Sequence, residues 1–119
     1  MKRFLSLVIM LICVVVFASA YDREYYLQKA AEYQKEAQYH FKKADDYRRE
    51  ANYYLDQASR YQKEVEYYLK KGDLDKANTY KRYNNEALSK YNTQMRYAAE
   101  AESKANMYLG WAKDALRNT

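Results

Sequence analysis

Residues able to do nucleophilic or acid–base chemistry are sparse in this sequence. It contains a single histidine, His40. Three serines follow residue 20, and none lies in the glycine-flanked turn that exposes a nucleophile: Ser59, Ser89 and Ser103. A metal site needs several His, Cys or carboxylate groups that converge. We therefore interpret His40 as a half-buried residue between helices rather than as a metal ligand or a catalytic base.

Glutamates recur at a spacing that argues against paired-carboxylate catalysis. Glu36, Glu50 and Glu64 are fourteen residues apart and alternate with Lys29 and Lys43. On a helix, that spacing separates neighbouring carboxylates by about 21 Å, so these charges form a solvated flank. The sequence has no glycine-rich phosphate loop. We expect no catalytic residue, no metal site and no cofactor, and therefore a protein that is not an enzyme.

The first twenty residues predict a secretory signal peptide. Two basic residues precede an apolar run, and residues 18–20, with the sequence ASA, match a cleavage site. The apolar run is shorter than the roughly 20 residues of a membrane-spanning helix, which is the alternative. We expect cleavage near Ala20 and an extracellular domain over residues 21–119, which contain no cysteine and therefore no disulfide.

The charge pattern restricts the classes of partner. Removal of the two basic residues of the signal peptide lowers the net charge from +5 to +3. Lys and Glu alternate instead of forming a basic stripe, so we expect no nucleic-acid partner. A weakly basic protein that acts at a membrane surface stays open as a third interpretation, although interspersed acidic residues weaken the cationic face that such helices use.

The composition of residues 21–119 indicates long helices. This part of the chain contains 16 tyrosines, two glycines and no proline. Only nine of its residues are Leu, Val, Ile or Phe, which is too few for an ordinary globular core. Long helices packed side by side need only a narrow buried seam. We therefore predict an all-α fold.

A fourteen-residue repeat indicates how these helices pack. Its copies begin at Tyr25, Tyr39, Tyr53 and Tyr67. Fourteen residues are two heptads, the period of a left-handed coiled coil whose a and d positions face a neighbour. Alanine predominates at a, and tyrosine predominates at d in the first helix. The predicted seam contains Ala30, Tyr33, Ala37, Ala44, Tyr47, Ala51, Tyr54, Ala58, Tyr61, Val65, Tyr68, Ala77, Tyr80, Ala87, Tyr91, Ala98, Ala105 and Ala112.

The repeat stops at the segment KKGDLDKA, which predicts a turn. Gly72 suits the left-handed residue that ends a helix, and Asp73 suits the N-cap of the next one. We predict helices over about 22–71 and 74–117, joined by a turn at 72–73 and folded back as an antiparallel hairpin.

The turn sets the register between the two predicted helices. With its centre at 72–73, Ala58 lies opposite Ala87 in the seam. The same register places Lys43 beside Lys104, which is an unfavourable pair of like charges.

An apolar flank runs beside the predicted seam, at the e heptad positions. This predicted association face contains Leu27, Phe41, Leu55, Leu69, Leu88, Leu109 and Leu116. A two-helix hairpin with an alanine seam buries little surface. We therefore expect a second copy or another helical protein to cover the face, and two copies would form a four-helix bundle.

These features favour a secreted, non-enzymatic coiled-coil protein that self-assembles in a structural role. The tyrosines that begin each repeat would pack against neighbouring helices or be cross-linked by oxidation. The alternative function is a secreted helical binding module for a partner protein or for an apolar or haem-like ligand, which would lie along an aromatic groove.

Overall fold

The computed structural model describes the backbone of residues 2–119 and the side chains of residues 20–119. It contains two helices, α1 over Lys2–Lys71 and α2 over Leu74–Arg117, which pack as a hairpin. The predicted all-α hairpin is therefore confirmed. The helix α1 begins at Lys2 rather than near residue 22, because no proline or glycine interrupts the sequence before Gly72.

The predicted signal peptide falls almost wholly on residues whose side chains lie outside the described part of the chain. Cleavage near Ala20 and secretion therefore stay predictions. Within the described residues, no helix has an apolar stretch long enough to cross a bilayer.

The turn between the helices is held by its own backbone hydrogen bonds. Gly72 has a φ of 77°, and its N–H donates to the Leu69 carbonyl at 3.1 Å, while the Asp73 N–H donates to the Tyr68 carbonyl at 3.0 Å. These two bonds form a Schellman motif at the end of α1. The Asp73 Oδ1 atom then accepts from the Lys76 N–H at 3.2 Å, which caps the start of α2.

The hairpin divides into two compact units. The turn unit comprises residues 39–104, and the terminal unit comprises residues 1–38 and 105–119. The buried hydrophobic residues of the turn unit are Ala44, Ala51, Ala58, Val65, Ala77, Ala87, Ala98 and Ala101. Those of the terminal unit are Ala30, Ala37, Ala105, Ala112 and Ala115. Among described residues the hydrophobic core is therefore twelve alanines and one valine.

Half-buried tyrosines border this alanine core. In the turn unit, Tyr80 stacks on Tyr68 with ring centroids 5.5 Å apart and also contacts Tyr61 at 6.2 Å. In the terminal unit, Tyr33 contacts Tyr108 and Trp111, at 6.3 and 5.7 Å. A buried methyl group contributes only about 0.8 kcal/mol, so these larger rings must supply much of the apolar contact between the helices.

A polar residue at an a position of α2 adds a directional contact in the turn unit. The Asn84 side-chain amide donates to the Ala58 carbonyl of α1 at 2.6 Å. Because a hydrogen bond of this kind is lost when one helix slides along the other, it favours one register of the hairpin.

Replacement of the two glycines of the hairpin by alanine should change the stability of the protein in opposite directions. Gly72→Ala should destabilise the protein by about 1–2 kcal/mol, because a Cβ atom is strained at positive φ. Gly110→Ala should stabilise it by about 0.5–1 kcal/mol, because Gly110 lies inside α2 and a Cβ atom there meets nothing within 4 Å. Urea unfolding followed by circular dichroism measures both changes. Equal shifts of the two midpoints would contradict the positive-φ assignment.

Candidate functional site

The two flanks of the seam differ chemically in the turn unit. On one flank, the Arg48 guanidinium of α1 pairs with the Glu102 carboxylate of α2. Residues that lie a multiple of seven positions from Arg48 or Glu102 are on the same side of the helices as these two residues. The large apolar residues in that series form what we call the leucine stripe: Phe41, Leu55, Leu69, Leu74, Leu88 and Met95.

The leucine stripe is open to solvent. Leu55 is 42% exposed and Leu74 is 64% exposed, whereas Phe41 is half-buried. In the terminal unit, the remaining residues of the predicted association face are also exposed: Leu27, Leu109 and Leu116. Every leucine among residues 20–119 is therefore on the surface, and alanine occupies the core.

The opposite flank of the turn unit contains two grooves lined by aromatic residues. The first, the Ala101 groove, has a volume of about 310 Å³. From α1 it is lined by Tyr39, His40, Lys43 and Tyr47. From α2 it is lined by Tyr97, Glu100, Ala101 and Lys104.

The second groove, the Ala87 groove, has a volume of about 190 Å³. From α1 it is lined by Tyr53, Tyr54, Gln57 and Tyr61. From α2 it is lined by Tyr83, Glu86, Ala87 and Lys90. Each α1 residue lies fourteen positions after its counterpart in the Ala101 groove, and each α2 residue lies fourteen positions before it. The sequence repeat therefore produces the same groove twice.

Small residues on α2 explain why the grooves form. Ala87 and Ala101 occupy d positions and are buried, so each contributes only a methyl group where a larger side chain would fill the space beside the seam. At Tyr80, by contrast, the d position of α2 is a tyrosine, and its ring packs directly against tyrosines of α1.

The aromatic walls of the two grooves have matching geometry. Tyr61 and Tyr83 approach to 5.5 Å between ring centroids, as do the corresponding Tyr47 and Tyr97. A lysine ammonium lies against one ring of each groove. Lys90 Nζ is 5.6 Å from the Tyr54 centroid in the Ala87 groove.

The grooves differ in charge. Only two of the eight lining positions change between them: His40 and Lys43 in the Ala101 groove become Tyr54 and Gln57 in the Ala87 groove. The Ala101 groove therefore has two lysines and one glutamate, whereas the Ala87 groove has one of each. The lysines that the predicted register places side by side, Lys43 and Lys104, do line the same groove.

Most of the residues considered for catalysis lie on the exposed surface of the helices. His40 is half-buried beside Tyr39, at 5.2 Å between ring centroids. The three serines and the three repeated glutamates are exposed: Ser59, Ser89, Ser103, Glu36, Glu50 and Glu64. Among the described residues, no group of three or more His, Cys, Asp or Glu side chains could hold a metal ion.

The predicted seam and turn residues lie along the contact between the helices. All alanines of the predicted seam and Val65 are buried, and its tyrosines are half-buried: Tyr33, Tyr47, Tyr54, Tyr61, Tyr68, Tyr80 and Tyr91. Gly72 and Asp73 form the turn. The tyrosines that begin each repeat are about half exposed: Tyr25, Tyr39, Tyr53 and Tyr67.

Among the described residues of the terminal unit, Lys29 has a perturbed pKa. The Glu32 carboxylate lies 3.5 Å from Lys29 Nζ and raises the pKa of Lys29 above its ordinary value. Both side chains are solvent-exposed, and ion pairs in such positions contribute little to stability.

No family model, curated protein or solved structure matches this chain. The leucine stripe shares Phe41, Leu55, Leu69 and Leu88 with the association face that the sequence predicts, and it adds Leu74 and Met95. The paired grooves are not among the predicted sites. The signal that indicates them is the recurrence of alanine at α2 d positions opposite repeated tyrosines of α1.

Proposed function

We propose that this protein is a secreted, non-enzymatic helical protein that assembles with copies of itself through the leucine stripe. The observation that carries the proposal is the inverted distribution of aliphatic side chains. All leucines among residues 20–119 are exposed, and the core contains alanine with a single valine. In the turn unit the exposed leucines belong to the leucine stripe, and an exposed apolar patch on a protein surface is typical of an interaction site.

The energetics allow a second copy as the partner. Covering one partly exposed leucine or methionine gains about 1 kcal/mol, given about 1.5–3 kcal/mol for complete burial. A two-fold dimer covers the five aliphatic residues of both stripes, which gives about 10 kcal/mol. This gain is comparable with the association cost of about 4–15 kcal/mol. Two-fold pairing is also the commonest geometry of homo-oligomers, and it would build a four-helix bundle.

The experiment that tests this proposal is sedimentation equilibrium of the purified protein and of a Leu55→Lys variant. We expect a concentration-dependent oligomer for the natural sequence. In the variant, the dissociation constant should rise at least about tenfold, because two charged side chains per dimer replace two buried leucines. Circular dichroism should show that the variant keeps its helices.

The matched control is Ser89→Lys, which adds the same charge at an exposed residue adjacent in sequence to Leu88 but on the outer face of α2. It should leave the dissociation constant unchanged within about twofold. If the natural protein is a monomer at all concentrations and still melts cooperatively, the self-assembly proposal is wrong.

A binding module is the second proposal, and the paired aromatic grooves favour it. Both grooves combine aromatic side chains, a buried alanine and a few charged groups, and ligand sites commonly pair aromatic side chains with a small number of polar groups. This function does not exclude assembly, because the grooves and the leucine stripe lie on different flanks of the turn unit.

A further inference from the structure

We propose that the Ala87 groove binds a small quaternary ammonium cation of the choline type. Four tyrosine rings line the groove, Ala87 forms its floor, and Glu86 lies at its rim. Aromatic rings that surround a weakly hydrated cation are the usual recognition element for methylated ammonium groups.

The rings of the groove form two close pairs. Tyr53 and Tyr54 are 5.4 Å apart between centroids, and Tyr61 and Tyr83 are 5.5 Å apart. The position of Lys90 supports a cation site, because its ammonium group already lies 5.6 Å from the Tyr54 ring. A methylated ammonium loses less hydration than a lysine ammonium when it enters such a site, so it can compete for the rings.

Charge assigns the cation to the Ala87 groove rather than to the Ala101 groove. In the Ala87 groove, Glu86 balances Lys90, and position 57 is a neutral glutamine. In the Ala101 groove, Lys43 adds a second positive charge. A like charge a few ångströms away opposes a bound cation, so we expect the Ala101 groove to bind about fivefold more weakly.

The rim of the groove favours a free cation over a lipid headgroup. The non-aromatic residues at the rim are charged or polar: Gln57, Glu86 and Lys90. An acyl chain would find no apolar surface among them. The ligand is therefore assigned as a soluble compound that carries a trimethylammonium group.

Nuclear magnetic resonance titration of the purified, isotope-labelled protein with choline chloride tests the assignment. We expect backbone resonances around Ala87 to shift with a dissociation constant on the order of 1 mM, as four ring contacts would give. The neutral isostere of choline, with carbon in place of nitrogen, should bind at least about fivefold more weakly. Equal binding of the two compounds would show an apolar site and overturn the proposal.

Variants at equivalent positions of the two grooves locate the site. Tyr83→Leu should weaken choline binding near Ala87 about fivefold, whereas Tyr83→Phe should keep it within about twofold. Tyr97→Leu, the same change in the Ala101 groove, should leave binding near Ala87 unchanged. Equal effects of the two leucine variants would contradict the assignment. If Tyr83→Leu loses its helical spectrum, Glu86→Gln at the exposed rim replaces it and should also weaken binding.

The strictest test is a variant that should gain affinity for choline in the Ala101 groove. The double variant His40→Tyr and Lys43→Gln gives the Ala101 groove the same eight lining residue types as the Ala87 groove. Its affinity for choline should then rise about fivefold, and no rise would contradict the charge argument. Co-sedimentation with phosphatidylcholine vesicles, but not with phosphatidylglycerol vesicles, would overturn the assignment to a free ligand.

Discussion

Replacement of Ala98 by leucine should lower the thermal midpoint by about 12 °C or more. Ala98 is 1% exposed and lies at an a position of α2, in the turn unit. Three additional carbon atoms there do not fit between the helices, and overpacking of this kind costs about 3 kcal/mol at the upper end of its usual range. In a domain of about 100 residues, each 1 kcal/mol lowers the midpoint by about 4–8 °C.

The adjacent residue provides the control. Ala99 is exposed, and leucine and alanine are both strong helix formers. Ala99→Leu should therefore change stability by less than about 0.5 kcal/mol. Both variants are measured by thermal unfolding at one protein concentration. A thermal midpoint for Ala98→Leu at or above that of the natural protein would show that the two helices are not packed at the short distance that alanine at the a positions allows.

The sequence predicted the seam because heptad position alone determines which residues face the partner helix. Ala44, Ala58 and Ala98 are buried at a positions, and a single-residue shift of phase would have exposed them. The turn could be predicted equally well. Position 72 requires a residue that adopts positive φ and position 73 requires a helix N-cap, and glycine and aspartate are among the few residues that suit these positions. The heptad period was therefore sufficient to predict the seam, and the residue types at positions 72 and 73 were sufficient to predict the turn.

The grooves were harder to predict because they depend on contacts across the two helices. Ala87 is a seam residue in the heptad pattern, but the space above it depends on how Tyr61 and Tyr83 pair. Similarly, the register predicted from the sequence indicated only that Lys43 and Lys104 form an unfavourable contact between like charges. The structure shows that both lysines line the rim of a groove about 310 Å³ in volume, together with Glu100.

The two classes of tyrosine in the repeat should differ strongly in their contribution to stability. Tyr61 is half-buried and contacts Tyr80 and Tyr83 of α2, at 6.2 and 5.5 Å between ring centroids. Because complete truncation of a buried aromatic residue costs about 3–5 kcal/mol, Tyr61→Ala should cost about 2–3 kcal/mol at its partial burial. In urea unfolding, this change should be among the largest of any single truncation in the turn unit.

Tyr53 is the matched control, because it lines the same groove but begins a repeat and is 55% exposed. Its ring contacts Tyr54 of its own helix, a pair worth about 0.5–1.5 kcal/mol. Tyr53→Ala should therefore cost no more than about 1 kcal/mol, and Tyr61→Phe, which keeps the ring, should cost less than Tyr61→Ala. If Tyr53→Ala and Tyr61→Ala proved equally destabilising, the tyrosines facing α2 would not hold the hairpin together, and the alanine seam would have to do so alone.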